Sequence, residues 1–174
     1  MKAEDVYASE RVSGNIVRYH TWPTIQRQTN ADHTLHVLRI FMIITTGADS
    51  NFHWPTLLPS IIYHDFGENG VGDIPYPAKK DNPSLKMACD ISEEISLNRQ
   101  GICLVPLDPV MKTMVKIADL LEMAEFAVHE IRMGNTFAHP VRDRTLSHVE
   151  SLLLVVTNLI VERNITKFME GLNV

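Results

Sequence analysis

Apolar residues recur at three- and four-residue intervals along most of this chain, the spacing of amphipathic helices rather than of alternating strands. The longest series is Val110, Met114, Ile117, Leu121, Ala124, Val128 and Ile131, a helix of six or seven turns. Asp108-Pro109 opens it as an N-cap followed by proline at the first helical position, and Gly134 stands where a glycine would end it. Val37, Leu38, Ile40, Phe41 and Ile44 mark another helix, from Asp32 to about Ile44. A shorter one is expected over Thr56–Tyr63, with Pro59 tolerated in its first turn. Asn82-Pro83 repeats the opening signal. His139-Pro140 is a looser version, ahead of a helix expected from Val141 to Val161 through Leu146, Val149, Leu152, Leu153 and Val156. "GICLVPL" has the apolar density of a short strand but no evident partner. The pattern predicts an all-α protein, one domain over residues 1–174 built as a bundle of about six or seven helices.

Composition narrows the partners. The net charge of −5 argues against a nucleic-acid polymer, which selects basic surfaces, but leaves room for a nucleotide in a local basic pocket. Cys89 and Cys103 have no metal-ligand spacing; their spacing leaves a disulfide open, with two free thiols of a reducing compartment the blander reading. "MKAEDVYASERVSG" lacks the apolar core of a secretory signal, and the run Leu152–Val156 falls far short of the ~20 residues that span a bilayer. A cytoplasmic protein that does not enter the membrane is expected. The stretch "LLLVVTNLIV" is more apolar than one packed helix face requires, which predicts a homo-oligomer, at least a dimer.

Candidate chemistry gathers in "IIYHDFGENGVGDIPYPAKK", where an apolar run ends on His64-Asp65 and a glycine-rich loop carries Glu68 and Asp73. His33, at the start of a helix, and Asp119, inside an otherwise amphipathic one, are the natural partners. Two imidazoles and two carboxylates suit a borderline divalent ion such as Zn²⁺, Co²⁺ or Mn²⁺. On spacing alone a blander reading stands beside this one, with His33 on a helix flank and Asp119 on a solvated face. Asp119 does sit between Ala118 and Leu120-Leu121, surroundings in which an unpaired carboxylate is costly.

The order His33, His64-Asp65, Asp119 resembles the H…HD…D signature of the HD-domain phosphohydrolases. "VRYHTWPTIQRQTNADHT" is similar to the arginine-aromatic segment before the first metal histidine of bacterial HD-type 5′-deoxynucleotidases. "YHDFGENGVGDIP" is similar to their catalytic loop, and "VKIADLLE" to their V-K-x-A-D helix. Departures are Tyr19 where tryptophan usually follows the arginine, and Asp32 where glutamate is common. The motifs end near residue 135, and the compact length also resembles phage-encoded HD enzymes that act on dATP.

The resemblance implies a metal-dependent phosphohydrolase of 2′-deoxynucleotides. Its first expectation is a dATP or dNTP triphosphohydrolase releasing deoxynucleoside and triphosphate. A 5′-deoxynucleotidase acting on dNMPs is the alternative, and an inactive metal-stabilised helical binding module the remote one. Cyclic-dinucleotide hydrolysis is disfavoured, because no further histidine lies between His64 and His129. His33, His64, Asp65 and Asp119 would hold the ion, with Mg²⁺ possible as a second one. Glu68 would orient or deprotonate water, and Asp73 would protonate the leaving oxygen. Arg18, Lys79 and Lys116 are the expected phosphate contacts, and Tyr19 and Trp22 would wall the sugar or base. Gly67, Gly70 and Gly72 are expected to supply unusual backbone angles around the phosphate. The implied assembly is a dimer or dimer-based hexamer in the cytoplasm, the host's if the protein is phage-encoded.

Overall fold

The computed structural model describes residues 11–48 and 52–173; most of the N-terminal stretch read for a signal lies outside them. Residues 11–15 are helical (α1), and seven longer helices follow: α2 (Asn30–Thr45), α3 (Trp54–Ile62), α4 (Tyr76–Asp81), α5 (Pro83–Arg99), α6 (Pro109–Arg132), α7 (His139–Leu153) and α8 (Leu159–Gly171). Two 3₁₀ turns, Phe66–Gly70 and Thr136–Ala138, complete the regular structure. No strand occurs among the described residues, only an isolated bridge between Val17 and Thr29. "GICLVPL" is irregular backbone on the way into α6.

The core lies where α2, α3, α6, α7 and α8 meet. Val37, Phe41 and Ile44 of α2, Ile61 of α3, Ile117 and Leu121 of α6, Val149 of α7 and Ile165 of α8 are fully buried. Each such side chain contributes roughly 1.5–3 kcal/mol relative to exposure. Cys89 is buried, Cys103 exposed, and both are free. No helix of the described residues is long and apolar enough to cross a membrane.

Helix ends follow the local chemistry. Asp108 Oδ1 accepts from the Val110 and Met111 amides at 2.9 and 3.0 Å, and Asn82 Oδ1 from the Leu85 amide at 3.1 Å. At the far end of α6 the Gly134 and Asn135 amides bond back to Ile131 and Glu130, a closure that needs the left-handed φ of 98° at Gly134.

Two helices differ from the periodicity. α3 starts at Trp54 rather than Thr56, so Pro59 lies in its interior instead of its first turn. The helix expected over Val141–Val161 breaks after Leu153. Asn158 caps a new helix through the Ile160 and Val161 amides, and the corner tucks Val156 into the core while leaving Leu154 at the surface. An unbroken helix would have carried Ile165 and Met169 away from α2. Apolar periodicity continues across such a corner, so it hides the turn.

The glycines of the catalytic-loop motif divide by role. Only Gly72 takes a positive φ, 78°. Gly67 instead lets the turn Phe66–Gly70 lie against α5, where an added Cβ would stand 2.7 Å from the Glu93 Cα. Gly67→Ala should therefore destabilise the fold by about 1–3 kcal/mol. Gly171→Ala, with open space at the end of α8, should be neutral or gain up to about 1 kcal/mol. Urea unfolding of both variants checks the contrast, and equal stabilities would contradict it.

Candidate active site

Three backbone stretches bring the expected ligands together. Thr29 and Asp32 form a reciprocal cap at the start of α2: the Asp32 amide donates to Thr29 Oγ1 at 3.3 Å and the Thr29 amide to Asp32 Oδ2 at 3.1 Å. That cap fixes the first turn of α2 and aims His33, fully buried, inward. His64 and Asp65 follow the last turn of α3, and Asp119 projects from the middle of α6.

Their atoms meet at ligand spacing. His33 Nε2 lies 3.0 Å from His64 Nε2, 3.4 Å from Asp65 Oδ2 and 3.3 Å from Asp119 Oδ1, and His64 Nε2 lies 3.4 Å from Asp65 Oδ2. The other nitrogen of each ring faces a pure acceptor: His33 Nδ1 is 2.5 Å from Glu122 Oε2, and His64 Nδ1 is 2.7 Å from the Ile61 carbonyl. Both Nδ1 atoms must therefore donate. In the neutral rings both Nε2 atoms are then bare lone pairs, facing each other and two carboxylates with no hydrogen between them. A cation at the centre resolves that repulsion: His33, His64 and Asp119 offer ligand atoms that all lie within 4.8 Å of one another, while Asp65, paired with Arg18, falls outside that group.

Titration behaviour carries the same demand for positive charge. Burial alone would lower His64, but Asp65 and Asp119 override it and raise the ring to about 9. Asp65 is driven the other way. Burial would raise it, yet His64, Arg18 and His33 hold it well below the usual carboxylate range. Asp119 is depressed likewise, against its burial, by His33 and Lys116. Glu68 is the exception. Burial and repulsion from Asp65 push it up to about 7, against the hydrogen bond that Asn30 Nδ2 donates to its Oε2 at 2.9 Å.

Arg18, Tyr19, Trp22, Asp65, Glu68, Asp73, Lys79, Lys116 and Asp119 all line one cavity of about 550 Å³. Arg18 Nη1 donates to Asp65 Oδ2 at 2.5 Å, while the Arg18 Nε is buried without a hydrogen-bond partner. Tyr19 holds a left-handed φ of 56° that stacks its ring on Phe126, centroids 5.0 Å apart, and its amide donates to Asp73 Oδ2 at 3.3 Å. Two of the expected phosphate cations are already engaged. Lys116 Nζ lies 2.6 Å from Asp119 Oδ2, and Lys79 Nζ lies 3.8 Å from Glu93 Oε1.

Sequence reasoning missed four positions. Asn30 holds Glu68, and Gln28 Nε2 donates to Glu122 Oε1 at 2.6 Å. Glu122 stands one turn beyond Asp119 on α6, and a carboxylate between Leu121 and Met123 was the available signal. Glu130 accepts from the Ile25 and Gln26 amides at 2.7 and 2.8 Å and from Asn135 Nδ2 at 2.7 Å. This clamp moors the segment that carries Arg18, Tyr19 and Trp22. Nothing in the local sequence pairs residues so far apart.

Comparison with known proteins agrees with this geometry. A family model described as 5′-deoxynucleotidase YfbR-like matches residues 11–168, reaching well past the last motif read in the sequence. No curated protein sequence matches significantly. Among solved structures, the cyanophage S-2L HD phosphohydrolase DatZ, bound to dA and one catalytic Zn²⁺ ion, superposes with a TM-score of 0.74 at 19% identity, over 99% of this chain and 96% of that one. An HD-domain phosphohydrolase from Listeria innocua, lin2634, gives a TM-score of 0.71 at 18% identity, over 99% and 98% of the two chains. The chain belongs to the YfbR-like 5′-deoxynucleotidase family and is a metal-dependent deoxynucleotide phosphohydrolase with the all-α HD fold.

Proposed function

We propose that this enzyme is a 5′-deoxynucleotidase, removing the phosphate from 2′-deoxynucleoside monophosphates. His33, His64, Asp65 and Asp119 would hold one divalent ion of the Zn²⁺, Co²⁺ or Mn²⁺ type. The observation that carries the reading is His33 Nε2 facing His64, Asp65 and Asp119 at 3.0–3.4 Å, with Asp65, Asp119 and Glu68 lining a nucleotide-sized cavity. The ion, when bound, supplies Lewis-acid charge at phosphorus and acidifies water.

The chain's own residues do the rest. Glu68, oriented by Asn30 and pushed up to about 7 by burial and by Asp65, is poised to take a proton from the attacking water. Asp73, whose Oδ2 accepts from the Tyr19 amide, would start protonated on its other oxygen and give that proton to the departing O5′, while Glu68 passes the proton from water to solvent. Arg18, which lines the cavity and keeps an unpartnered Nε, is assigned to a phosphate oxygen. The Tyr19–Phe126 stack forms a rigid wall that crowds a 2′-hydroxyl, favouring deoxyribose over ribose. Trp22 lines the same cavity and is assigned to the base.

A second reading, release of triphosphate from dATP, is favoured by Lys79, Lys80 and Lys116 along the cavity wall. It ranks below the first because Lys79 and Lys116 are already paired with carboxylates and the family description names the nucleotidase activity. We also assign a homo-oligomer, with the exposed Leu154, Val155 and Leu159 at the α7–α8 corner in its interface.

Product analysis decides between the two activities. dNMPs should release inorganic phosphate and the matching NMPs should not, whereas tripolyphosphate from dATP with inert dNMPs would hand the case to the second reading. Glu68→Ala should keep its metal and lose on the order of a hundredfold or more in turnover; near-normal turnover removes Glu68 from the chemistry. Asp119→Ala should purify without the ion and with almost no activity, its helical circular dichroism retained; full metal occupancy would overturn the ligand set. Sedimentation should show a dimer or larger at micromolar concentration, and a 20 kDa monomer would end the oligomer assignment.

A further inference from the structure

Glu122 takes no part in the roles assigned above, yet it is 1% exposed, ionisable, and within hydrogen-bond reach of a ligand candidate. We propose that Glu122 is a positioning residue for metal capture, held in place by Gln28 and acting through His33. This inference rests on the ligand set of the preceding section.

The geometry is a buried relay. Gln28 Nε2 donates to Glu122 Oε1 at 2.6 Å, and Glu122 Oε2 accepts from His33 Nδ1 at 2.5 Å. His33 Nε2 then faces His64, Asp65 and Asp119. Each link constrains the next. The carboxylate can only accept, so it fixes the proton of His33 on Nδ1 and leaves Nε2 free to bind. Gln28 occupies the second carboxylate oxygen and stops the group rotating off the ring.

Charge gives Glu122 a further role. Both carboxylate ligands are shared with cations, Asp65 with Arg18 and Asp119 with Lys116, which reduces what each offers an ion. Among the described residues Glu122 has no Lys or Arg within 4.0 Å; His36 Nδ1 lies 4.0 Å from it, and Arg18 acts on it from farther off. A carboxylate on Nδ1 makes His33 Nε2 a stronger donor to an ion. Glu122 thus strengthens binding of the ion through His33.

Metal affinity and metal-free stability, measured side by side, separate a positioning role from simple packing. Glu122→Gln keeps the shape and an acceptor for His33 Nδ1, and the buried Gln28 Oε1, which has no partner, can turn to meet the new amide. We expect Zn²⁺ affinity, measured by competition with a chromophoric chelator, to fall about 10- to 100-fold. We expect the melting temperature in excess EDTA to stay level, because the variant keeps the shape and the hydrogen bonds, and the Zn²⁺-induced rise in melting temperature to shrink. Gln28→Leu should show a smaller affinity loss in the same direction. Wild-type Zn²⁺ affinity in Glu122→Gln would overturn the proposal. So would a drop in metal-free melting temperature that accounts for the whole effect, since Glu122 would then be structural. Failure of the wild-type chain itself to bind Zn²⁺ would strike the ligand set instead.

Discussion

The fold of this enzyme turns on one imidazole held from both sides. His33 is fully buried, its Nδ1 engaged by Glu122 and its Nε2 turned on three further acceptors. Burying such an arrangement is unfavourable unless positive charge occupies its centre. The surrounding architecture keeps the parts in place regardless: a reciprocal cap aims α2, α3 ends at His64, and α6 supplies both Asp119 and Glu122 from one face. Stability is drawn from the apolar core next to the site, and the site itself is where local rules are broken. Tyr19 adopts a left-handed backbone and Glu68 a carboxyl near neutral pKa, both beside the reacting groups.

Helices with strong punctuation were legible in the sequence. Asp108-Pro109 and Asn82-Pro83 state their own caps, and Gly134 its own stop, because those signals involve neighbours only. The corner between α7 and α8 was not, since Leu152 through Val161 is apolar whether the chain turns or not. The candidate ligands came from motif order rather than from periodicity, which left a metal site and a solvated face equally open, and the fold brings His33, His64 and Asp119 within 4.8 Å of one another. Glu122, Gln28 and Glu130 were hidden for a different reason. Their partners lie roughly ninety to one hundred residues away, and only packing of α6 against the N-terminal segment brings them together. The loop glycines were read for the wrong property: Gly67 serves close approach to α5, and conformational freedom is needed at Gly72 alone.

The pairing of Lys116 with Asp119 and of Lys79 with Glu93 bears on substrate choice as much as on structure. A cavity that met a triphosphate would gain from uncommitted cations, whereas these two are engaged before any ligand arrives. Arg18 is partly so, with one nitrogen on Asp65 and another unsatisfied. Lys80 and Arg144 add two further cations to the cavity wall, so the preference for one phosphate rests on the family description.

The central claim is that two imidazoles and two carboxylates close around a single ion. X-ray absorption at the metal edge of the Zn²⁺-loaded protein tests it most directly. The account predicts one ion per chain with only nitrogen and oxygen donors at about 2.0–2.2 Å and the multiple-scattering pattern of two imidazoles. Sulfur donors, a single imidazole, or a metal–metal vector near 3.5–4 Å would contradict it.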